Sequence, residues 1–251
     1  MVLSALKTTV RSAMRKRGID LVAYGGDFSE LDHSIIKQVA PYTMTSHPRI
    51  FSMVETVRHV QRNNLEGAFV ECGVWRGGSM MAVALALQSL KMEPRDLYLY
   101  DTFEGMTAPS EKDVLNSDPT ISATSLMVKN EQGVTGATWC EASLEDVQTN
   151  MGKTGYPEKL IHYVKGPVEE TIPATIPDKI AVLRLDTDWY ESTKHELEHL
   201  FPRVVRGGLI VIDDYGFWKG AREAVDEYLG KLDHSPFLAR IDSTGRICVK
   251  M

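Results

Sequence analysis

From Gly67 onward, short apolar runs alternate with helix-like stretches, and this alternation constrains the fold more than any other feature of the chain. AFVEC (68–72), DLYLY (96–100), LIHYV (160–164), KIAVLRL (179–185) and GLIVI (208–212) read as strands buried on both faces. Helical patterns follow over 79–90, 190–201 and 217–231. Strands and helices in this order make an α/β fold, a mostly parallel sheet covered on both faces. Two last runs, FLARI (237–241) and RICVK (246–250), bracket Asp242-Ser243-Thr244-Gly245, which reads as a hairpin turn adding an antiparallel edge. Upstream, the sequence predicts helices over 2–16, 30–39 and 46–63. Residues 1–65 are therefore expected to form a helical segment and lid, and residues 66–251 the α/β body. The stretch 104–142 is rich in Ser, Thr, Asp and Gly with little periodicity, and reads as a lid or binding loop.

At 43% hydrophobic and 25% charged, the 251 residues have the composition of a soluble globular protein. A net charge of −6 supplies no dominant basic surface, which argues against nucleic acid as a partner. The basic stretch Lys7 to Arg17 suits an amphipathic helix packed on the body or on a partner subunit rather than on a membrane. No apolar run reaches the roughly 20 residues of a membrane helix, and no signal peptide is recognisable. Three scattered cysteines, Cys72, Cys140 and Cys248, make neither a disulfide framework nor a zinc cluster. A cytoplasmic protein is expected.

In parallel sheets, ligands bind beyond the carboxyl ends of the strands. Those ends carry Glu71, Asp101, Asp186 and the pair Asp213–Asp214. Like carboxylates held close together repel and raise each other's pKa. Strand one leads into ECGVWRGGS (71–79), whose glycines lack both the G-x-G-x-x-G spacing of dinucleotide folds and the G-K-[ST] of a phosphate loop. A glycine turn preceded by an acid suits a cationic ligand without phosphate, such as S-adenosylmethionine. Asp101 sits where an acid accepts hydrogen bonds from a ribose diol. The plain alternative is tight strand–helix packing with solvated acids. If the strands ending at Asp186 and Asp213–Asp214 are neighbours, their three carboxylates converge and suit Mg²⁺. Alternatively, one of the pair caps the following helix. HELEH (195–199) is a literal H-E-x-x-H, the pattern of a zinc metallopeptidase. Helical phase puts Thr193, Leu197 and Leu200 inward and both histidines outward, against that reading.

The stretches PYTM (41–44), FVECGVWRGGS (69–79), YDTFEGM (100–106), LRLDTDWYEST (183–193) and GGLIVIDDYGFWKGA (207–221) resemble the macrocin O-methyltransferase family, which includes sugar O-methyltransferases of the mycinamicin and novobiocin pathways. The resemblance implies a class I methyltransferase, Rossmann-like fold with a seven-stranded sheet, S-adenosylmethionine as donor and Mg²⁺ as metal. Carried over residue by residue, it implies that Glu71, Gly73, Trp75, Gly77, Ser79, Asp101, Phe103 and Ser143 hold the donor. Asp186, Asp213 and Asp214 would hold the metal. Tyr42, Met44 and Met106 would belong to the lid over the acceptor. It further implies a small-molecule glycosylated acceptor, a natural product or glycolipid, and a homodimer or homotetramer. A catechol or other vicinal diol is the alternative acceptor. Asp186 is the first candidate for general base as well as ligand, and Asp188 the second. Thr187 departs from the smaller residue expected between the two aspartates.

Overall fold

The computed structural model describes residues 25–131 and 139–251, together with Met14. The helix expected over 2–16 lies, Met14 excepted, outside the described residues. Helix α1 (Glu30–Val39) starts at a capping box in which Ser29 and Asp32 satisfy each other's backbone N–H groups. Helix α2 (His47–Arg62) is capped by Ser46 and has a proline in its first turn. The α/β body runs β1 (Ala68–Cys72), α3 (Gly78–Ser89), β2 (Leu97–Asp101), α4 (Ala123–Glu131), α5 (Leu144–Gly152), β3 (Ile161–Lys165) and α6 (Val168–Thr171). It continues with β4 (Ile180–Leu185), α7 (Tyr190–Leu200), β5 (Val204–Ile212), α8 (Lys219–Leu229), β6 (Ala239–Arg240) and β7 (Arg246–Val249).

The seven strands form one sheet in the order β3-β2-β1-β4-β5-β7-β6. The pairs among β1 to β5 are parallel, while β7 runs antiparallel to β5 and β6. The α/β sheet and its antiparallel edge match the sequence reading. The chain builds outward from β1 to β3, then returns to place β4 on the other side of β1. The crevice at that reversal is where open α/β sheets bind ligands. Register sharpens this placement. Cys72 pairs with Tyr100 and Leu185, and Leu185 pairs with Ile212. The residues that follow (Gly73, Asp101, Asp186 and Asp213) therefore leave the sheet side by side.

One face of the sheet packs on α1, α2 and α3 through residues such as Ile35, Val54, Val83, Phe69 and Val182. The other packs on α7 and α8 through Leu197, Leu200, Val225, Val70 and Leu183. Beyond the strand ends, Trp189, Trp218, Ala123 and Ala221 form a third cluster under Met106, Leu115 and Trp139. The described part of the 104–142 stretch contains α4, and its Leu115 bridges to Trp218.

Beyond shifts of one or two residues at element ends, three differences from the sequence expectation stand out. Strand β5 starts at Val204 rather than Gly208, because the sheet accommodates Gly207 at φ 82 and Gly208 packed on Ala181. Helix α5 was hidden behind the polar stretch; Ser143 caps it, and Val147 and Met151 are buried one turn apart. The run 237–241 keeps only Ala239–Arg240 as strand, and Phe237 is exposed.

The hairpin turn is strapped to α2. Asp242 Oδ2 accepts from Ser46 Oγ at 2.6 Å and from Arg49 Nε at 2.8 Å, and Oδ1 accepts from the backbone of Thr244 and Gly245. Burial opposes ionisation of Asp242, but the bonds from Arg49, Ser46 and Gly245 outweigh it and hold the carboxyl well below its ordinary range. A depressed folded-state pKa stabilises above the unfolded value and is lost as pH falls through the folded one. Asp242→Asn should therefore lower the melting temperature most at neutral pH. The gap to the parent protein should shrink as pH falls below about 4, measured by thermal melts across pH.

Candidate active site

A cavity of about 500 Å³ opens at the crevice between β1 and β4. Its floor is the turn after β1. That turn must pass close to β4: a Cβ at Gly73, where φ is 81, would lie 1.9 Å from the Asp186 carbonyl oxygen. Asp101 holds the turn from the side. Its Oδ2 accepts from the N–H groups of Val74 at 2.6 Å and Trp75 at 3.1 Å, and its Oδ1 accepts from Phe103 N–H at 2.8 Å. A carboxylate offers about four lone-pair sites, so Asp101 keeps acceptor capacity toward the cavity it lines.

The opposite wall is acidic: Asp186, Asp188, Asp213 and Asp214 all line the cavity. Behind them lies Arg184, which interrupts an otherwise apolar β4 and is 2% exposed. Its guanidinium donates to Glu71 Oε1 at 2.7 Å, Asp186 Oδ2 at 2.6 Å and Asp213 Oδ1 at 2.6 Å. Arg49, from α2, pairs with the other oxygen of Asp213. Burial works against the charge of Arg184, but Asp186, Asp213 and Glu71 hold its pKa far above the ordinary value. Burial pushes Glu71 up to about 7 against the pull of Arg184. Burial also raises Asp186, opposed by Arg184 and reinforced by Asp213 and Asp214. Its side chain is 29% exposed to the cavity, so solvent moderates that shift. Burial and then the Asp186 charge push Asp188 up to about 7, while Trp218 Nε1 donates to its Oδ1 at 2.7 Å. Asp214 is raised by burial and then by Asp188 and Asp213.

Five carboxyls thus face two guanidinium groups. One carboxylate oxygen from each of Asp186, Asp213 and Asp214 lies within 4.8 Å of the others. With all-oxygen donors and charge left over after the arginines, the set suits a hard divalent cation. Among the described residues this is the cluster of metal-ligand type that forms. HELEH does not form one. His195 Nε2 meets the Ile172 carbonyl oxygen at 2.9 Å, the two histidine rings pack at a tilt of 58° with centroids 4.4 Å apart, and Glu196 is fully buried. Cys140 lines the cavity, but burial and the nearby aspartates push its thiol up to about 12, too high for a thiolate nucleophile.

Of the residues expected around the donor, Gly73, Trp75, Ser79 and Asp101 line this cavity, as do Tyr42, Met44 and Met106 of the expected lid. Glu71 lies beneath it, on Arg184. Gly77 packs on Val147 and Met151, and Phe103 is buried in the core. Ser143 is spent as the cap of α5, accepting from Asp146 N–H. A second, narrower cavity of about 60 Å³ shares Gly73, Asp101, Met106 and Asp186, and continues to Tyr100, Gly166, Pro167 and Val168. The sequence reading missed this GPV turn after β3, along with Arg49 and Arg184. The one signal for Arg184 was a lone charge inside a buried strand.

Strand order, crevice and glycine turn define a class I methyltransferase fold. The chain matches the profile of the macrocin O-methyltransferase (TylF) family over residues 29–249. It is 33% identical over 205 residues to a Streptomyces olivaceus 8-demethyl-8-(2,3-dimethoxy-α-L-rhamnosyl)-tetracenomycin-C 4′-O-methyltransferase, covering 81% of this chain and 74% of that one. It is 30% identical over 204 residues to the demethyldecarbamoylnovobiocin O-methyltransferase of Streptomyces niveus, again 81% of this chain and 74% of that one. Among solved structures, the O-methyltransferase NovP superposes with a TM-score of 0.71 at 28% identity, covering 83% of this chain and 82% of NovP. The chain belongs to the macrocin O-methyltransferase family, and is an S-adenosylmethionine-dependent O-methyltransferase. No helix among the described residues is long and apolar enough to cross a membrane.

Removing one partner of a buried ion network leaves uncompensated charge and costs about 3–5 kcal/mol. Arg184→Met should destabilise the protein by about that much, read by denaturant unfolding.

Proposed function

We propose that the protein methylates a hydroxyl of a sugar within a glycosylated small molecule, with Mg²⁺ held by Asp186, Asp213 and Asp214. The observation that carries this reading is the convergence of those three carboxylates beside the glycine turn. Relatives point the same way in their names: one acts at the 4′-oxygen of a rhamnosyl tetracenomycin, and another, from Micromonospora griseorubida, is a mycinamicin III 3″-O-methyltransferase.

S-adenosylmethionine supplies a methyl group on a sulfonium centre. The cation supplies Lewis-acid polarisation, which lowers the pKa of a hydroxyl beside it. The chain does the rest. Gly73, Trp75, Ser79 and Asp101 hold the methionine and ribose portions of the donor along the glycine turn. The narrower cavity lined by Tyr100 and Val168 would receive its base. Asp188 would take the proton of the acceptor hydroxyl as the methyl group is transferred, with S-adenosylhomocysteine as the leaving product. This reverses the order of preference read from the sequence. Asp186 is committed to Arg184 and to the three-carboxylate set, whereas Asp188 stands outside that set and is oriented by Trp218. Met44 and Phe217, both exposed at the rim, offer apolar surface to the rest of the acceptor. Positioning of donor and acceptor contributes several kcal/mol more.

Asp214→Asn is the informative variant, because Asp213 also pairs with both arginines. Turnover should fall by about 100-fold or more, and a chelator should abolish it in the parent protein. Calorimetric binding of S-adenosylhomocysteine should stay close to that of the parent. Full activity in the variant or under chelation would overturn the metal role. Preference for a catechol over glycosides in an acceptor panel would overturn the sugar.

A further inference from the structure

One feature remains unused by the site, Glu196 of HELEH, and one is used only as cavity lining, Thr187, where a smaller residue was expected between the aspartates. The structure puts them together. Thr187 Oγ1 donates to Glu196 Oε1 at 2.9 Å, across the start of α7. Glu196 is fully buried, and its Oε2 has no hydrogen-bond partner among the described residues. The thiol of Cys72, the last residue of β1, lies beside it.

A buried carboxyl at this position is costly, and an apolar side chain would fill the space without that penalty. Its partner is the residue between the two aspartates that line the cavity. The turn it meets is conformationally demanding. Asp188 has φ 68, a left-handed conformation that residues other than glycine disfavour. Asp186 N–H donates to the Cys72 carbonyl at 2.8 Å, and the Thr187 carbonyl accepts from Trp189 N–H at 2.8 Å. Those backbone bonds hold the turn on either side. Two side-chain bonds tie it down into α7: the short one from the Thr187 hydroxyl to Glu196, and a longer one from Ser192 Oγ to the Thr187 carbonyl at 3.4 Å, while Asp186 and Asp188 face the cavity.

We infer that Thr187 and Glu196 form a positioning pair that fixes the turn Asp186–Thr187–Asp188, and with it the spacing of the two working carboxylates. The inference rests on the reading of Asp186 and Asp188 given above. It gives the glutamate of HELEH a task as a buried anchor of the methyl-transfer site.

The test uses Thr187→Val, Glu196→Leu and Glu196→Gln, each confirmed folded by circular dichroism and competent to bind S-adenosylhomocysteine. Mn²⁺ binding is followed by the electron paramagnetic resonance of the free ion. Thr187→Val and Glu196→Leu should bind Mn²⁺ at least about tenfold more weakly than the parent protein. Glu196→Gln, which keeps the acceptor, should recover most of that affinity, which a purely structural loss would not do. If Glu196→Leu does not fold, Thr187→Val carries the test alone. Parent-like Mn²⁺ affinity in folded Thr187→Val overturns the inference. If the parent itself binds no Mn²⁺, the metal reading fails separately. The crystal structure of Thr187→Val with S-adenosylhomocysteine then decides. Asp188 leaving the left-handed conformation supports the pair, and Asp188 unchanged overturns it.

Discussion

Arg184 is the interaction on which the rest of the site depends. Parallel strands in register deliver Glu71, Asp186 and Asp213 to one place, and like carboxylates out of water do not stay together unaided. A guanidinium, with donors in a fixed planar fork, can bond several carboxylates at once where an ammonium would act as a point charge. Set into β4, it neutralises charge from beneath and leaves the upper faces of Asp186, Asp213 and Asp214 turned to the cavity. The arrangement is neutralised enough to fold, and retains negative charge on the side that faces the cavity.

Much of this was legible before any coordinates. Five apolar runs, four of them carrying an acid at or near the end, announce both the sheet and the edge where chemistry sits, because a parallel strand buried on both faces leaves only its end free for a polar task. The sequence made the convergence of Asp186 and Asp213 conditional on neighbouring strands; the observed strand order and register meet that condition and bring Asp101 out beside them. Less legible were interactions of long sequence separation. Arg49 meets Asp242 across 193 positions, and nothing local in HPRIF distinguishes it from a solvated arginine. Ser143 was read as a donor ligand, yet its position before LED is that of a helix cap, and the cap is the role it takes. HELEH was correctly discounted on helical phase, but phase alone did not reveal that its glutamate faces inward onto Thr187.

The site is assembled from both ends of the chain around the body. Tyr42, Met44, Thr45 and Arg49 enter from the N-terminal side, and Ser243 and Thr244 from the closing hairpin. Arg49 joins the two, bonding Asp213, Asp242 and Thr244. The N-terminal helices and the closing hairpin are therefore tied, through one guanidinium, to a carboxylate of the acidic wall. Opposite, the tryptophan cluster of 139, 189 and 218, with ring centroids 5.2 to 6.4 Å apart, backs Asp188 through the bond from Trp218 Nε1.

The central claim is that Asp186, Asp213 and Asp214 together bind one divalent cation at the mouth of the donor site. Anomalous diffraction from crystals grown with S-adenosylhomocysteine and Mn²⁺ tests it most directly. The account predicts a single strong peak about 2.2 Å from an oxygen of each of the three aspartates, with Arg184 still bound beneath. No peak there, with Asp213 held between Arg49 and Arg184 alone, would contradict it.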